Sequence, residues 1–500
     1  MIPHFQRSLL MPLLAALATA CVSVSPRDGV AQVTSQVIAA GRPAPTYSSP
    51  DGHAAVEART RELLAAPLTA RSAVEVGILS NPRLRSEFAQ LGIAQSDLVA
   101  ASRLSNPVSS GSRTTAGGSR KSTLALTQSL SDLILLSARR RLAAGEYERV
   151  QQLATAAILD LAADIEAAWF RCVGAEHVAA MRGAVANAAT VSSDLAQRFY
   201  GAGNISELQL MMERSSASQA RINATRAAAE ATQARFALHQ LMGLTGEPSW
   251  SATQRLPGPI GAQDSVDALL NLAHERRGDL AAARREVEFL GEAVTLARRW
   301  RWLGSVEVGA LREREQDGTH LTGPTLALAL PIFNQGQAGI ARAEGQLEDR
   351  RARLAALEST VDNAVRLGSA RVGATYAIAE QFAKTLVPAQ ELIVKGQQER
   401  QNFMFIGQFE LLFAKQQQYD AYQGYLEAVR DYWLARTELV RAIGGRLPSD
   451  TSVEEPSVGV DAIITPSEDA MEGMEHMDHD QHATRDDSNA TAPQATGDKP

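Results

Sequence analysis

The sequence predicts a mainly α-helical protein with a small β part, in which a unit of helix, strand pair and long helical hairpin occurs twice. Alanine dominates the apolar residues in stretches such as 154–168 and 227–237, and alanine favours helix over strand. Hydrophobic residues make up 45% of the 500 residues but aromatic residues only 5%, which favours closely packed helices over a bulky globular core. Heptad spacing in the second half and matched segments in the two halves are the other two observations.

Three segments of the first half have counterparts in the second half. One is a strand that runs into a helix, one is the turn that opens a long helix, and one is the end of that helix. A duplication explains all three. We therefore predict a first repeat at 70–245, a linker at 246–265 and a second repeat at 266–445. The matched segments are 123–130 with 326–333, 198–208 with 401–411, and 238–243 with 439–444.

The second half predicts a helix of unusual length. Ile340, Leu347, Leu354 and Val361 recur at steps of seven, which is the spacing of a coiled-coil seam. A helix over 338–400 would be about 95 Å long at 1.5 Å per residue. Such a rod is much longer than the helices of ordinary globular domains.

The helix after the following turn has the complementary pattern. Its apolar residues between 419 and 443 alternate steps of three and four, with Arg436 at the one missing position. The two helices can therefore pack as an antiparallel hairpin. Pro388 removes a backbone donor from the first of them, and we expect a bend near Leu386.

Alternating runs between the helices predict two strand pairs. Each run has one apolar face and one small or polar face. No segment beyond the signal has the 18 or more consecutive apolar residues of a transmembrane helix, so a membrane span would have to be a β-barrel. Four strands cannot close a barrel, and several subunits would have to share one. The runs are 107–112, 123–130, 305–310 and 325–330.

The N-terminus has the features of a secretory signal. An apolar stretch at 9–20 is too short to span a bilayer and predicts a signal peptide at 1–20. Small residues then lead to Cys21, as in a bacterial lipobox, which predicts a lipid-modified cysteine and a lipidated linker at 21–69. The alternative is an ordinary signal peptide with an incidental cysteine. Cys172 has no partner for a structural disulfide and is predicted to be a small buried apolar residue.

The chain after residue 446 loses the heptad pattern and predicts a disordered acidic tail at 446–500. From 466 to 500, nine acidic residues minus two basic ones give minus seven, which equals the formal charge of the whole chain. Thioether and imidazole groups suit transient binding of copper, silver or zinc, and no other cofactor is expected. The alternative is a solvating acidic tail. The candidate metal ligands are Met471, Met474, His476, Met477, His479 and His482.

The segment 330–337 has the sequence Leu-Pro-Ile-Phe-Asn-Gln-Gly-Gln and is similar to a Leu-Pro-Leu-Phe-Asp-x-Gly motif, with Ile332 and Asn334 as conservative departures. With this motif and the duplication, residues 70–445 resemble the TolC-like family of outer-membrane factors. The resemblance implies a homotrimer with a shared twelve-stranded β-barrel in the outer membrane and an α-helical barrel in the periplasm. It also implies a periplasmic adaptor protein and an inner-membrane proton-driven pump as partners.

The same resemblance implies that the hairpin turns, at 201–207 and 405–410, form a closed periplasmic end. Glu410 matches an acidic position of that end, and Phe413 lies where some relatives have a second acid. We expect Glu410, Phe413 and Glu207 to narrow the opening, with carboxylates that attract cations. The alternative for both glutamates is a first-turn acid that complements the helix dipole.

These features predict a lipid-anchored outer-membrane channel subunit of a tripartite efflux pump that extends into the periplasm. The Met and His residues of the tail favour the heavy-metal branch, with copper and silver or cobalt, zinc and cadmium as exported cations. A drug-efflux or type I secretion channel of the same fold and a periplasmic coiled-coil scaffold are the alternatives. No zinc spacing in the predicted ordered part, phosphate-binding loop or nucleophile elbow indicates an enzyme, and no basic stripe with aromatic residues indicates nucleic-acid binding.

Overall fold

The computed structural model describes residues 29–45, 53–116, 119–261, 264–302, 304–315, 317–451 and 457–459. The elements up to the end of the first repeat are α1 (Val30–Ala39), α2 (His53–Ala65), α3 (Ala70–Ser80), α4 (Pro82–Ala101), β1 (Val108–Ala116), β2 (Ser119–Ser129), α5 (Leu130–Gly201) and α6 (Glu207–Leu241). The remaining elements are β3 (Arg255–Pro257), α7 (Val266–Arg276), α8 (Gly278–Arg299), β4 (Val306–Arg314), β5 (His320–Leu328), α9 (Gln337–Gln381), a π-helical segment (Phe382–Leu386), α10 (Val387–Asn402), α11 (Gln408–Ile443), a 3₁₀ turn (Pro448–Thr451) and β6 (Ser457–Gly459).

The first hairpin consists of α5, an unbroken helix of 72 residues, and the 35-residue α6 that packs along it. Ser129 caps α5 by accepting a hydrogen bond from the Asp132 amide at 3.2 Å, and Ser206 caps α6 in the same way. Gly203 lies in the turn between them with φ 78°, the left-handed conformation that commonly ends a helix. At 1.5 Å per residue, α5 is about 108 Å long.

The second hairpin has the same plan, but its first arm is not uniform. α9 continues through the π-helical segment directly into α10, and α11 packs along all three. Pro388 follows that segment, so the irregularity lies at the predicted place near Leu386 and takes the form of a widened helical turn. The ring of Phe382 lies over Gly424 of α11, where a Cβ would come within 2.6 Å of it. Among the helices described, none is both long enough and apolar enough to cross a membrane.

The four longer strands form one antiparallel sheet in the order β1-β2-β4-β5. Each repeat supplies one strand pair, and the pairing of β2 with β4 joins the two repeats. All four predicted strands are present, and the run 107–112 belongs to β1. Within the described residues, β1 and β5 each have a neighbour on only one side in this sheet.

The motif between β5 and α9 forms a sharp turn from sheet into helix. Gly336 has φ 78°, a conformation that glycine adopts at little cost, and its amide donates to Asn334 Oδ1 at 3.0 Å. Phe333 is 97% exposed at this turn. The motif therefore sets the helix direction and leaves an aromatic side chain on the surface of the single chain.

Two hydrophobic cores lie where the long helices pass the short ones. The first is formed mainly by α1, α3, α4 and the middle of α5, and the indole of Trp169 donates to the Leu68 carbonyl at 2.9 Å. The second is formed by α7, α8, α9 and the end of α11, and the hydroxyl of Tyr432 donates to the Ile260 carbonyl at 3.0 Å. Burial of apolar surface in these two places stabilises both repeats.

Each hairpin returns to the short helices through an equivalent joint. α6 is followed by Gly243 with φ 73°, and α11 is followed by Gly444 with φ 72°. The carbonyl two residues before each glycine accepts a hydrogen bond from the residue at the N-cap position of a neighbouring helix, α4 in the first repeat and α8 in the second. The donor is Asn81 Nδ2 in the first repeat, at 2.7 Å, and Arg277 Nη1 in the second, at 3.0 Å. The duplication is therefore visible in individual contacts.

The chain stays folded beyond residue 446, where the sequence predicts that a disordered tail begins. Leu447 is 2% exposed, and the Asp450 carboxylate pairs with the buried Arg436 at 2.6 Å. β6 pairs with β3 in a separate two-stranded sheet. The predicted boundary is wrong because the tail supplies the charge partner of Arg436, a contact that no heptad pattern reveals. The rest of the tail lies outside the described residues.

Candidate functional site

The turns of the two hairpins lie side by side, at the opposite end of α5 from the sheet. The rings of Phe199 and Phe409 meet edge to face there, with centroids 6.4 Å apart and planes at 88°. Next to this contact, α5, α6 and α11 line a cavity of about 120 Å³. The two predicted hairpin tips therefore form one continuous surface, which we call the end surface.

Glu207 and Glu410 both lie in the first turn of a helix on the end surface. Glu207 is the first residue of α6 and Glu410 is the third residue of α11, and both side chains are exposed. Both carboxylates are thus near the positive end of a helix dipole. The structure thus places both glutamates on the predicted hairpin tips, in the first-turn positions that the helix-dipole alternative also requires.

Phe413 lies on the same face of α11 as Glu410 and is 64% exposed. It also lines the cavity, together with Val185 of α5 and Glu213 of α6. Glu213 accepts a hydrogen bond from the Ser192 hydroxyl at 2.8 Å, which holds its carboxylate against α5. Glu213 was not predictable from the sequence, because no motif marks it and only its position less than two turns after Glu207 connects it with the end surface.

The second turn carries an apolar tip that the sequence analysis also did not describe. Phe403, Met404 and Phe405 are 72%, 92% and 75% exposed. Met404 has φ 60°, a conformation that a non-glycine residue adopts only at some cost. The sequence signal is a run of four large apolar residues directly after two polar ones, in a segment that must be a turn. Such a tip is unusual on a surface that faces only water.

Further polar contacts join the hairpin helices to each other. Arg182 of α5 donates to the Asp420 carboxylate of α11 at 3.0 Å, and the Tyr422 hydroxyl of α11 donates to Glu391 of α10 at 2.5 Å. Burial, and after it the hydrogen bond to Glu391, raises the pKa of Tyr422 above its ordinary value. The phenol therefore stays protonated and remains a donor.

The lipid and metal predictions fall on residues that the structure does not describe. Within the described part of the chain, no group of three or more His, Cys, Asp or Glu side chains is arranged to hold a metal ion. Cys172 is fully buried, as predicted, and burial raises the pKa of its thiol to about 12. The predicted residues outside the described ranges are Cys21, Met471, Met474, His476, Met477, His479 and His482.

No protein-family model and no curated protein matches the sequence, but solved structures match the fold. The outer membrane channel CmeC of Campylobacter jejuni is 16% identical, with a TM-score of 0.63 over 77% of this chain and 87% of that chain. The open outer membrane channel MtrE of Neisseria gonorrhoeae is 18% identical, with a TM-score of 0.60 over 79% and 91%. The outer membrane protein VceC of Vibrio cholerae is 15% identical, with a TM-score of 0.61 over 80% and 99%. At these identities the likeness establishes the fold.

Proposed function

We propose that this chain, which has the fold of the TolC-like outer-membrane channels, is one subunit of a trimeric efflux channel in the outer membrane. The observation that carries the proposal is the combination of a four-stranded sheet at one end with two long helical hairpins that reach from it. The sheet serves as the membrane part and the hairpins as the periplasmic duct. A solute would leave the cell along the axis that three such chains enclose.

The edges of the sheet support assembly into a trimer. β1 and β5 leave one side unpaired in the described residues, and free strand edges tend to pair with further strands. Three copies joined edge to edge would give the twelve-stranded closed sheet that the family resemblance implies. The four side chains that would face lipid are 53–72% exposed and share one face of the sheet, as the strand register requires. They are Leu124, Leu126, Leu326 and Leu328.

The end surface supports a narrow periplasmic mouth. In a trimer, Glu410, Glu207 and Phe413 would each occur three times around the axis. Exposed carboxylates in a narrow aqueous opening attract cations and restrict anions. The exposed ring of Phe413 would narrow the opening further.

The apolar tip supports a partner protein at the same end. Phe403, Met404 and Phe405 together expose more apolar surface than a free hairpin turn normally does. A periplasmic adaptor that bridges to an inner-membrane proton-driven pump would cover this tip. The long hairpins then complete a path across the periplasm.

The tail and the N-terminus support two finer proposals. Six Met and His residues between 471 and 482 offer soft and imidazole ligands in an acidic segment, which favours heavy-metal cations as the solute. A lipid on Cys21 would anchor the chain to the outer membrane. Organic drugs or exported polypeptides are the alternative solutes.

Membrane fractionation and crosslinking test the channel proposal. We expect the full-length protein to sediment with outer membranes and to give a crosslinked trimer. Recovery as a soluble periplasmic monomer would instead favour the coiled-coil scaffold. Replacement of Cys21 by Ser separates the anchor from the channel, because a trimer that still reaches the membrane would show that the lipid is dispensable.

Conductance in planar bilayers tests the mouth. Glu410→Gln should lower the preference for cations over anions if the carboxylates ring the opening. Glu207→Gln is the matched variant on the other hairpin. Unchanged selectivity in both variants would leave only the helix-dipole role for these glutamates.

Growth in the presence of metals tests the solute. A strain without the chain should become sensitive to at least one of copper, silver, zinc, cobalt and nickel. Serine in place of Met471, Met474 and Met477 tests the soft ligands, and alanine in place of the three histidines is its counterpart. If deletion of the whole chain leaves tolerance to all five metals unchanged, heavy-metal export is contradicted.

A further inference from the structure

The strand register brings basic side chains together at the end of the sheet far from the helices. Arg113 of β1 lies opposite Ser122 of β2, Ser122 lies opposite Arg314 of β4, and Arg314 lies opposite His320 of β5. Directly opposed residues of antiparallel strands point to the same face. These four residues therefore form one row across the sheet, with three basic members.

Two further arginines extend this row on the same face. Arg312 lies two residues from Arg314 along β4, and Arg120 lies two residues from Ser122 along β2, so both keep the same orientation. All four arginine side chains and His320 are exposed. Three of these arginines and the histidine line an open groove of about 490 Å³. We call these five residues the basic row.

The opposite face of the sheet carries an ion-paired cluster at the same end. Lys121 contacts the Glu313 carboxylate and lies 3.1 Å from Glu315. The acids of β4, Glu307 and Glu313, thus point away from the basic row, and Lys121 neutralises Glu313 there. Asp317, in the turn after β4, accepts a hydrogen bond from the Thr319 amide at 2.8 Å. Across the strand residues that the structure describes, the face with the basic row carries no acidic side chain.

An apolar band adjoins the basic row on its helix side, on that same face, and begins at Leu124, which lies opposite Arg312. It contains Leu124, Leu126, Val308, Leu326 and Leu328, all exposed in the single chain. From the pair of Val306 with Leu328 to Arg314 is eight residues, or about 27 Å along the strand and about 20 Å across a membrane at a strand tilt of about 40°. The basic row therefore lies about one apolar thickness away from the helices, which is where one interface of a membrane would lie.

We propose that the basic row binds the phosphate groups of anionic lipid headgroups in the leaflet distant from the helices. Each guanidinium presents a planar fork of donors that suits two oxygens of one phosphate, and several forks on neighbouring strands suit a headgroup with two phosphates. The apolar band accommodates the acyl chains of the same lipid. This inference rests on the proposed membrane location, and it adds a lipid class to it.

Lipid binding to the purified full-length protein in detergent tests the inference. The probes are diphosphoryl lipid A and its monophosphoryl form, followed by native mass spectrometry. The variant Arg312→Gln/Arg314→Gln should bind diphosphoryl lipid A about thirtyfold more weakly, since each basic side chain at a membrane surface contributes about a factor of five. The control Arg221→Gln/Arg226→Gln, on exposed arginines of α6, removes the same charge far from the sheet and should bind as the wild type does.

A second variant separates shape from charge. Arg312→Lys/Arg314→Lys keeps both charges without the guanidinium forks, and its affinity should fall between those of the wild type and the glutamine variant. Inorganic phosphate should not displace the lipid, because it lacks acyl chains for the apolar band. Complete displacement would overturn the lipid assignment in favour of a free-anion site.

Other outcomes separate this inference from the proposed function. Equal binding of the two lipid A forms by the wild type, or equal losses in the glutamine variant and the α6 control, would overturn the inference and leave the channel untouched. A wild-type protein that takes up neither lipid nor detergent would contradict the membrane location itself.

Discussion

Arg235 in the first repeat and Arg436 in the second occupy equivalent positions, eight residues before the glycine that ends each joint. Both hold the segment that follows their hairpin. Arg235 donates to the Trp250 carbonyl and lies 4.6 Å from the centre of its ring, with Glu176 as its charge partner at 3.1 Å. Arg436 binds Asp450 at 2.6 Å and Ser449 at 2.8 Å.

The difference between the two arginines lies in their exposure to water. The side chain of Arg235 is 31% exposed, whereas that of Arg436 is 4% exposed. A buried charge depends on its partner far more than a solvated one does. Both arginines therefore hold the segment that follows their hairpin, but Arg436 depends on its charge partner much more than Arg235 does.

The largest expected effect comes from breaking the buried pair. Arg436→Ala should lower the free energy of unfolding by about 3–5 kcal/mol, because it leaves Asp450 unpaired in a largely buried place. Arg235→Ala should cost about 1–2 kcal/mol, because water can replace part of what is lost. Urea titrations in detergent measure both values.

A double variant shows whether charge pairing or packing causes the first effect. Arg436→Met combined with Asp450→Leu removes both charges and should recover much of the loss. If Arg235→Ala costs as much as Arg436→Ala, the contrast in burial does not control stability.

At the two joint glycines we expect the larger loss of stability in the first repeat, which reverses the order expected for the two arginines. A Cβ at Gly243 would come within 2.6 Å of the Asn81 backbone, whereas at Gly444 the nearest atom, in Arg277, is 3.2 Å away. Both glycines have a positive φ, which costs an L-residue about 1–2 kcal/mol. Gly243→Ala should therefore cost about 2–4 kcal/mol and Gly444→Ala about 1–2 kcal/mol. Equal melting temperatures of the two variants would show that the first joint relaxes.

The stability losses caused by replacing Asn81 and Arg277, the two residues that bind the joint carbonyls, should differ in their dependence on salt. Asn81→Ala removes two hydrogen bonds: the cap of α4, in which Asn81 accepts from the Arg83 amide at 2.8 Å, and the bond that Asn81 donates to the joint. The free energy of unfolding should fall by about 1–2 kcal/mol. This cost should be the same at low and high salt, because Asn81 is uncharged. The cost of Arg277→Ala should shrink at high salt, because Arg277 also pairs with Asp279. Parallel salt dependence in the two variants would contradict this distinction.

The smallest effect concerns a reporter beside Arg235. Cys172 lies 3.7 Å from Glu176, the partner of Arg235, and its thiol stays protonated because burial raises its pKa to about 12. The protonated Cys172 thiol should contribute fully to the free energy of unfolding below pH 9.0, its ordinary pKa, and this contribution should be lost as the pH rises towards 12.

The same thiol reports on Arg235. At pH 8, iodoacetamide should label Cys172 faster in Arg235→Ala than in the wild type, as mass spectrometry can measure. Equal labelling rates would show that Glu176 is held without Arg235.

The periodic parts of the fold were predictable from the sequence. Steps of seven from Ile340 and alternation in the strands place the long helices and the sheet, because each reports a geometric repeat. The interruption at Arg436 was visible too, but its partner was not, because Asp450 lies in a segment without a pattern. Contacts between segments distant along the chain do not follow from local spacing.

The candidate site was predictable only in part for the same reason. Turn residues located the hairpin tips and thereby Glu207 and Glu410, whereas Glu213 enters the cavity through the packing of three helices. The basic row depends on the register of β2 against β4, which pairs residues about 190 positions apart. A single sequence does not determine this register.

The widened turn at Phe382–Leu386 changes the rotational phase of its helix. Val365, Val372 and Ala379 are buried at steps of seven, but the next buried residue of this arm among those described, Val394, comes fifteen residues after Ala379 instead of fourteen. One additional residue would turn everything beyond it by about 100° in a regular α-helix, because each residue advances the helix by that angle. The π turn absorbs this rotation within five residues, so both halves of the arm present the same side to α11. The one-residue excess thus acts as a phase correction, and α10 continues to pack along α11 beyond it.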